Sequence, residues 1–554
     1  LECIDHALRD AKIAEDDPIR ESTDVIIGRG GYATMKLIEL GCRAELFEDV
    51  VEVLDRKYPD MMKGRRQEVE DYLLSTLTPM PIDNVSTAVS NIAASRPANR
   101  FNLRGAAFVV DGACASSLLA VESGIWRLRT GQSNLVVAAG MFVSMTPTFF
   151  HVFTRLGAVS TNQVIRPFDR RADGLMVGEG GGAMILKRLE DAIRDRDQIY
   201  AVIKGVGSSS DGLGLDVLAP NTQGQVLAIE RAFKDAGVDR STIGYLECHG
   251  TGTAAGDEAE VASLKTCFGT QKTPATARAM GSVKSMIGHT MPAAGMASMI
   301  RVALSLSNKV LPPSLHCEQP REDLADAPFY VNTQTRPWVQ ASSHGPRRAG
   351  INAFGFGGVN VHVVMEETPS RSPRASAQGF DPIPRPVDPC LARATELFPF
   401  SATSVDSIEE KIKKVLSYVE KVDSPLADIS YTLVQEIDVR HPVKATVIAR
   451  DRADLTDLLR QLLAGISRGE SFEKAENIYF SKDAAKPPGK IAFIMPGMGF
   501  PGLIGNYPDH LLELCIHYPQ VREEFDFFED RDRHPDDNVP TSSIFSPPAS
   551  LPEE

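Results

Sequence analysis

The segment from residue 107 to residue 128 limits the possible folds more than any other part of the chain. A short apolar and β-branched run, 107–110, stops at Asp111-Gly112, and apolar residues then recur from Leu118 to Leu128 at the spacing of one helical face. Cys114 is therefore predicted to lie at a strand-to-helix turn, beside backbone N–H groups that carry partial positive charge. We expect these groups to favour the thiolate, the nucleophilic form of cysteine. The alternative is an inert, buried thiol.

Strand-like and helical patterns alternate from residue 1 to about residue 366. Strands are predicted at 24–27, 135–137, 183–186, 200–203 and 244–248, and helices at 116–130, 222–237, 256–267 and 292–307. Residues 279–306 are a rough counterpart of the Cys114 segment, with Val283 closing a strand and Pro292 in the first turn of a helix. Periodicity alone predicts layered α/β structure and nothing finer.

Three later motifs add to the Cys114 segment. They are Glu247-Cys-His249-Gly-Thr-Gly-Thr253, Gly281-Ser-Val-Lys284-Ser-Met-Ile-Gly-His289 and Ile351-Asn-Ala-Phe-Gly-Phe-Gly-Gly-Val-Asn360. One cysteine and two histidines in glycine-flanked loops are candidates for covalent catalysis.

In this order the four motifs resemble the β-ketoacyl synthases, the ketosynthase domains of polyketide and polyunsaturated-fatty-acid synthases, up to about Glu367. The resemblance implies a thiolase-like, two-halved αβαβα fold over residues 1–366, with Cys114 in the first half and both histidines in the second. The family usually has an earlier strand and loop, whereas Leu1 already opens a predicted helix, so we expect an N-terminal segment to be missing.

The resemblance also implies a role for each motif residue. Cys114 would hold an acyl group as a thioester. His249 and His289, both neutral, would donate N–H bonds to the thioester oxygen of a malonyl-type unit as it loses CO2. Lys284 would act electrostatically, ordering the site and supporting His289. The backbone N–H groups of Cys114 and Phe356 would form the oxyanion hole for acyl transfer.

Two further groups are candidate binding residues. Thr251 and Thr253 match the hydroxyls that hold the pantetheine arm of an acyl carrier, with loop hydrogen bonding as the alternative. Gly355, Gly357 and Gly358 are predicted to allow positive φ and close backbone approach, with a plain hairpin loop as the alternative.

Other segments carry weaker signals. The aromatic stretch Met141–Phe150, with Phe153, is predicted to line the acyl pocket or a dimer seam, or else to be simple core. The glycine-dense segments 28–31 and 178–182 do not complete a GxGxxG nucleotide fingerprint. Met291-Pro292 follows His289 where many modular polyketide ketosynthases have Glu-Ala, which favours the iterative or polyunsaturated-fatty-acid branch.

The chain beyond residue 366 changes character. Residues 367–395 are rich in proline and serine and predict a linker. Residues 396–485 predict a small α/β adaptor, with helices at 407–422 and 455–465 and strands at 443–449 and 478–480. Residues 486–554 resemble a partial acyltransferase start, but Met498 replaces its usual Gln and the chain has no GxSxG turn. The last 25 residues predict an exposed end.

Composition excludes several classes of protein. A net charge of −14 argues against a general nucleic-acid binder, and no apolar stretch is long enough for a membrane span. The eight cysteines include no CxxC pair, which disfavours a zinc site or a disulfide framework and makes the cytoplasm the expected compartment.

The sequence thus predicts a ketosynthase that performs decarboxylative Claisen condensation without a permanently bound cofactor. The implied partners are acyl and malonyl-type thioesters, an acyl carrier protein with its phosphopantetheine arm, other domains of the synthase and a second copy of the chain. Three alternatives stay open: a non-elongating ketosynthase that only transfers or gates the acyl chain, a docking scaffold and a thiolase. His249 argues against the first and Cys114 against the second. A thiolase would usually have a second catalytic cysteine near its C-terminal end, and the candidates nearest the glycine loop, Cys317 and Cys390, both lie outside it.

Overall fold

A computed structural model gives the fold for residues 1–31, 35–76, 89–143, 146–213, 216–270, 278–340, 345–368, 395–438, 440–469, 477–482 and 514–531. These residues belong to two compact units, Leu1–Ser372 with Ile504–Glu554, and Pro373–Leu503. Within the described ranges, no helix combines the length and the apolar character needed to cross a bilayer.

Among the described residues, the first unit contains twelve strands and most of the helices. The strands are β1 Thr23–Gly28, β2 Ala107–Val110, β3 Leu135–Phe142, β4 Gly180–Leu186, β5 Val202–Ser210, β6 Ile243–Glu247, β7 Arg278–Gly281, β8 Val310–Leu311, β9 Phe329–Val331, β10 Arg336–Pro337, β11 Arg348–Gly355 and β12 Val359–Glu366. The helices are α1 Glu2–Asp10, α2 Met35–Lys57, α3 Pro59–Met62, α4 Arg66–Ser75, α5 Ile92–Arg100, α6 Ser116–Arg129, α7 Pro147–Arg155, α8 Leu189–Asp195, α9 Thr222–Ala236, α10 Ala254–Phe268, α11 Lys284–Ile287 and α12 Ala294–Asn308.

Two mixed sheets organise this unit. The first has the order β2-β1-β3-β4, with β1 parallel to β2 and β3, and β4 antiparallel to β3. The second has the order β5-β12-β11-β6-β7-β9, and its antiparallel strand β12 lies between β5 and β11. The predicted strand–helix alternation is therefore confirmed.

Helices α6 and α12 lie between the two sheets. One buried cluster joins Leu118 and Met299 of these helices to Val136 of the first sheet and Ile351 of the second. The two helices touch closely, because a Cβ added at Gly295 of α12 would lie 2.7 Å from Leu118 Cγ. The apolar side chains of these two helices are thus buried against both sheets.

Outer helices complete the layers. Helices α1 and α5 pack apolar side chains against the first sheet, and α9 and α10 pack against the second. The order helix, sheet, helix, sheet, helix is the predicted αβαβα arrangement, so the expected fold class is confirmed.

The predicted strand ends were less accurate than the strands themselves. Strand β7 ends at Gly281, so the prediction that Val283 closes it is wrong, and Val283 instead immediately precedes the short helix α11. Pro292 lies in a 3-10 turn, Met291–Ala293, that precedes α12. Both differences arise because tight turns occupy positions that periodicity assigns to the neighbouring element.

The second unit is a small sheet covered by helices. It contains β13 Glu396–Ala402, α13 Val405–Lys421, α14 Leu426–Gln435, β14 Val443–Ala449, α15 Arg452–Ser467 and β15 Ile478–Ser481, with the antiparallel order β13-β14-β15. The helices and strands predicted here are present. Most of the predicted linker, all of Lys490–Gly499 with Met498, and the tail beyond 531 lie outside the described residues.

A last helix, α16 Pro519–Arg531, belongs to the first unit. Its Asp526 accepts a hydrogen bond at 2.5 Å from the Arg347 guanidinium, and Arg522 donates to the carbonyl of Asn308 at 3.2 Å. Sequence reasoning did not predict this helix.

Candidate active site

The turn that carries Cys114 is fixed by its own polar side chains. Residues Ala113–Ala115 form a 3-10 turn between β2 and α6, and Ala113 adopts a φ of 51°. Ser116 Oγ accepts from the Gly112 N–H at 2.9 Å and donates to the Ala113 carbonyl at 2.6 Å. The Asp111 carboxylate accepts from the Ala113 N–H at 3.0 Å. These bonds fix the backbone on both sides of Cys114, which is only 3% exposed.

Burial decides the protonation state of this thiol. It raises the pKa of Cys114 from 9.0 to about 11, although the Lys284 charge and the backbone N–H groups of Phe356 and Cys114 act in the opposite direction. The expectation that the helix start favours the thiolate is therefore wrong for the resting site, because the loss of solvation outweighs these favourable interactions.

Two loops of the second sheet bring the histidines together. His249 follows β6, His289 follows α11, and their ring centroids lie 5.5 Å apart at an interplanar angle of 83°. The Met176 carbonyl accepts from the His289 N–H at 2.7 Å. Gly178, in one of the glycine-dense segments, packs against this loop, since a Cβ there would lie 2.2 Å from the Ile287 carbonyl oxygen.

Hydrogen bonding assigns the tautomer of His289. Its Nδ1 accepts from the Met291 N–H at 3.1 Å, so the ring proton of the neutral form is on Nε2. The Nδ1 atom of His249 is buried without a hydrogen-bond partner among the described residues.

Both imidazoles are held neutral. Burial, followed by the positive charge of Lys284, lowers the pKa of His249 and of His289 well below their usual range. A neutral imidazole keeps one N–H donor and carries no charge of its own.

Lys284 is buried beside the His249 loop and is 1% exposed. Its ammonium donates to the His249 carbonyl at 2.6 Å, so its direct hydrogen bond supports His249 rather than His289. Burial lowers the pKa of Lys284, while the nearby carboxylates of Glu247 and Glu260 act to raise it.

Buried carboxylates hold the His249 loop and the neighbouring Lys284 segment, and sequence reasoning assigned none of them a role. Glu260 of α10 accepts from the His249 N–H at 2.7 Å and from the Gly250 N–H at 2.8 Å. Glu247 accepts from the Val283 N–H, and Asp257 accepts from the Gly252 N–H at 3.1 Å. The spacing of Asp257 and Glu260 on α10 was a usable signal, since these two residues share one helical face.

A cavity of about 420 Å³ brings the predicted residues together. Cys114, His249, His289 and Phe356 line it, and so do the binding candidates Thr251, Thr253, Gly355 and Gly358. Lys284 and Gly357 are not among its lining residues. The threonine hydroxyls lie 2.9 Å apart and hydrogen-bond to each other.

The glycine loop is the tight connection between β11 and β12. A Cβ at Gly355 would lie 2.4 Å from the Gly112 carbonyl, so this position must be glycine for the loop to approach the Cys114 turn. Gly357 and Gly358 have φ angles of 87° and 76°, as predicted. This approach brings the Phe356 N–H to the sulfur.

The predicted aromatic stretch packs behind the site. Phe142, Phe149 and Phe153 share a buried cluster with Cys114, and the Phe153 ring lies 5.7 Å from that of Phe356. They are not among the residues that line the cavity. Cys317 is also buried away from it, and Cys390 is outside the described residues.

Among the described residues, no group of three or more histidine, cysteine, aspartate or glutamate side chains could hold a metal ion.

Comparison with known families gives three matches along the chain. Residues 1–192 match the N-terminal domain of β-ketoacyl synthases, 200–318 match the C-terminal domain, and 319–448 match the ketoacyl-synthetase C-terminal extension. The last match runs from the first unit into the second.

Individual relatives agree with these matches. The chain is 31% identical over 462 residues to one subunit of the polyunsaturated fatty acid synthase of Thraustochytrium sp., covering 80% of the chain and 16% of the relative. It is 35% identical to a mycocerosic acid synthase-like polyketide synthase of Mycobacterium tuberculosis, covering 70% of the chain and 18% of the relative. The chain thus spans less than a fifth of these curated relatives.

A solved structure shows the same fold. The oxazolomycin ketosynthase domain of Streptomyces albus is 27% identical and has a TM-score of 0.56, with 86% of this chain and 74% of that one covered. The four motifs, the layered fold and these matches together show that the chain belongs to the β-ketoacyl synthase family.

Proposed function

We propose that this chain catalyses decarboxylative Claisen condensation between an acyl group on Cys114 and a malonyl-type unit on an acyl carrier protein. The observation that carries the proposal is the shared cavity, which Cys114 lines together with two neutral histidines from loops distant in sequence.

The first step transfers the acyl group from the carrier to the enzyme. The Cys114 sulfur forms a bond to the thioester carbon, the carrier sulfur leaves, and the thiol proton passes to the departing carrier thiolate. The N–H groups of Phe356 and Cys114 stabilise the oxyanion; both already interact with the sulfur closely enough to lower its pKa.

The second step makes the carbon nucleophile. The malonyl-type unit releases CO2, and the electron pair of the broken bond forms an enolate on the thioester. Nε2–H of His289 and a ring N–H of His249 donate to the enolate oxygen, which needs neutral rings that act as donors. The carbon then attacks the acyl thioester, the Cys114 thiolate leaves and takes up a proton, and a β-ketoacyl carrier departs.

Lys284 is a positioning residue in this scheme. It fixes the His249 backbone through its 2.6 Å hydrogen bond, and its charge disfavours protonation of both rings. It is not among the residues that line the cavity, so it acts through the histidines.

The carrier's phosphopantetheine arm would enter along the wall that carries Thr251 and Thr253. We also propose a homodimer that pairs through the outer edge of β2. In the described sheet this strand is terminal, and its four apolar residues are only half-buried. The carbonyls of Ala106 and Val110 accept from the N–H groups of Val25 and Arg29 on the β1 side. Because alternate residues of a strand bond to opposite sides, the backbone of Val109 is directed outward.

Two measurements on the full chain test the proposal. With an acyl thioester, intact-protein mass spectrometry should show one added acyl group, and Cys114→Ala should abolish it; equal loading of both forms would refute the assignment of the nucleophile. With a malonyl-carrier, the wild-type chain should release CO2, whereas His289→Ala should keep acylation and lose CO2 release. A wild-type chain that loads without releasing CO2 would support the non-elongating alternative instead.

A further inference from the structure

One buried histidine takes no part in the proposed condensation. His362 of β12 is 0% exposed, and its ring centroid lies 5.6 Å from that of Phe233 in α9. Gly350 on β11 leaves room for the ring, because a Cβ there would lie 2.7 Å from His362 Cε1. Buried polar side chains in proteins are hydrogen-bonded as a rule, so the partner of this ring indicates what it does.

The partner is Asn352, which lies directly opposite His362 on β11. Nδ1 of His362 and Oδ1 of Asn352 are 2.6 Å apart. The amide nitrogen of Asn352 donates to Glu260 Oε1 at 2.8 Å, and the same oxygen accepts from the His249 N–H at 2.7 Å. A continuous chain of hydrogen bonds therefore runs from the buried ring to the backbone of His249.

The chemistry of the groups fixes the direction of each bond in this chain. Glu260 receives three N–H donors, as an ionised carboxylate does, since that form only accepts. The Asn352 amide therefore turns its NH2 group toward Glu260 and its oxygen toward the ring, where that oxygen needs a donor. Burial lowers the pKa of His362 to about 3, so the ring has a single proton, and this proton is on Nδ1. Nε2 of His362, which has no hydrogen-bond partner among the described residues, carries the lone pair.

We propose that His362 is a positioning residue for CO2 release, acting on His249 through Asn352 and Glu260. Without the Nδ1–H group, no donor holds the oxygen of the Asn352 amide, and the amide is free to turn that oxygen toward the Glu260 carboxylate. Glu260 then loses one of the three bonds that hold it against the His249 loop. This inference rests on the proposed function, because that function assigns His249 to the enolate.

The chain of bonds reaches only one of the two steps. Acyl transfer uses the N–H groups of Phe356 and Cys114, whereas CO2 release uses the two imidazoles. Because a shift of about 1 Å can cost about a hundredfold in rate, loss of the His362 donor should lower CO2 release by roughly ten- to hundredfold and leave acylation within about threefold of the wild-type rate. A general weakening of β11 and β12 would lower both rates, since these strands carry the glycine loop with Phe356.

Two replacements of His362 separate a donor role from a packing role. The side-chain nitrogen of asparagine is attached to Cγ, as Nδ1 of histidine is, so His362→Asn keeps a donor for Asn352 although it leaves a void. His362→Leu fills the space of the ring better but has no donor. For a positioning role, the ratio of CO2 release to acylation should stay near the wild-type value in His362→Asn and fall in His362→Leu. A packing role predicts the reverse order.

Val364→Ala is the matched control. Val364 is also 0% exposed and lies two residues along β12, on the same face of the strand as His362. This replacement weakens the core but should leave the ratio of the two rates unchanged. If His362→Leu does not fold, His362→Met takes its place, because methionine adapts to irregular space and also lacks an N–H group.

The rates of Cys114 acylation and of CO2 release, measured on the full chain, decide the matter. Equal ratios in the apolar His362 variant and in Val364→Ala would overturn the proposal, and so would a lower ratio in His362→Asn than in the apolar variant.

A wild-type chain that releases no CO2 would count against the proposed function, and urea unfolding would then test the hydrogen-bonded chain independently. The effect of the double variant His362→Leu with Glu260→Gln on the unfolding equilibrium constant should differ from the product of the two single effects by about fivefold or more, because both residues belong to one network. A simple product of the single effects would overturn the link between His362 and Glu260.

Discussion

Replacing Glu260 with glutamine tests how the His249 loop is held. The carboxylate receives three donors: the His249 N–H at 2.7 Å and the Asn352 amide at 2.8 Å on one oxygen, and the Gly250 N–H at 2.8 Å on the other. A glutamine offers one acceptor oxygen and one donor nitrogen in nearly the same volume. In either orientation at least one N–H must therefore face another N–H.

The expected cost follows from these contacts. Losing one charge-assisted hydrogen bond and leaving its donor buried costs about 2–4 kcal/mol in the free energy of unfolding. Lys284 also loses a carboxylate that acts to raise its pKa. Because the His249 backbone would shift, CO2 release should fall more than acylation of Cys114.

Urea unfolding followed by tryptophan fluorescence measures this cost. Trp126 and Trp338 are the two tryptophans of the chain and both belong to the first unit, so the signal is specific to it. Glu258→Gln is the matched control, because Glu258 is exposed on the same helix. Equal unfolding free energies for the two variants, within about 0.5 kcal/mol, would refute the reasoning.

Three further predictions concern protonation and assembly. Burial raises the pKa of Cys114 to about 11, so alkylation of this thiol by iodoacetamide at pH 8 should be about a hundredfold slower than that of a thiol with a pKa of 9.0. The alkylation rate, followed by peptide mass spectrometry, should still be rising at pH 10. A plateau of the rate near pH 9 would contradict this. Burial raises the pKa of Asp257 from 3.8 to about 7, so between these two pH values the native state holds a proton that the unfolded state has released. The free energy of unfolding should therefore fall as the pH rises from about 4 to about 7. Asp257→Asn should flatten this fall in urea titrations, and an unchanged slope would count against the prediction. Val109→Pro should weaken the proposed dimer without breaking the β1–β2 ladder, because the backbone of Val109 is directed away from β1. Light scattering should then give a lower mass at unchanged secondary structure. An unchanged dimer would exclude this edge as the interface.

Local pattern was enough to predict much of this protein. The strand, turn and helix around Cys114 follow from residues adjacent in the chain, and their hydrophobic spacing states which face is buried. The motifs around His249 and His289 named the other candidates, and glycine at 355 and 358 indicated a close backbone approach that the structure shows.

The tertiary structure decided what those residues experience. The raised pKa of Cys114, the hydrogen bond from Lys284 to the His249 carbonyl, and the carboxylate of Glu260 under the loop all depend on elements far apart in the sequence. Hydrophobic periodicity predicts that a side chain is buried, but it does not predict which residues that side chain contacts. Desolvation and hydrogen bonding are set by that partner, so they become fixed only when the two sheets and the helices between them are packed together.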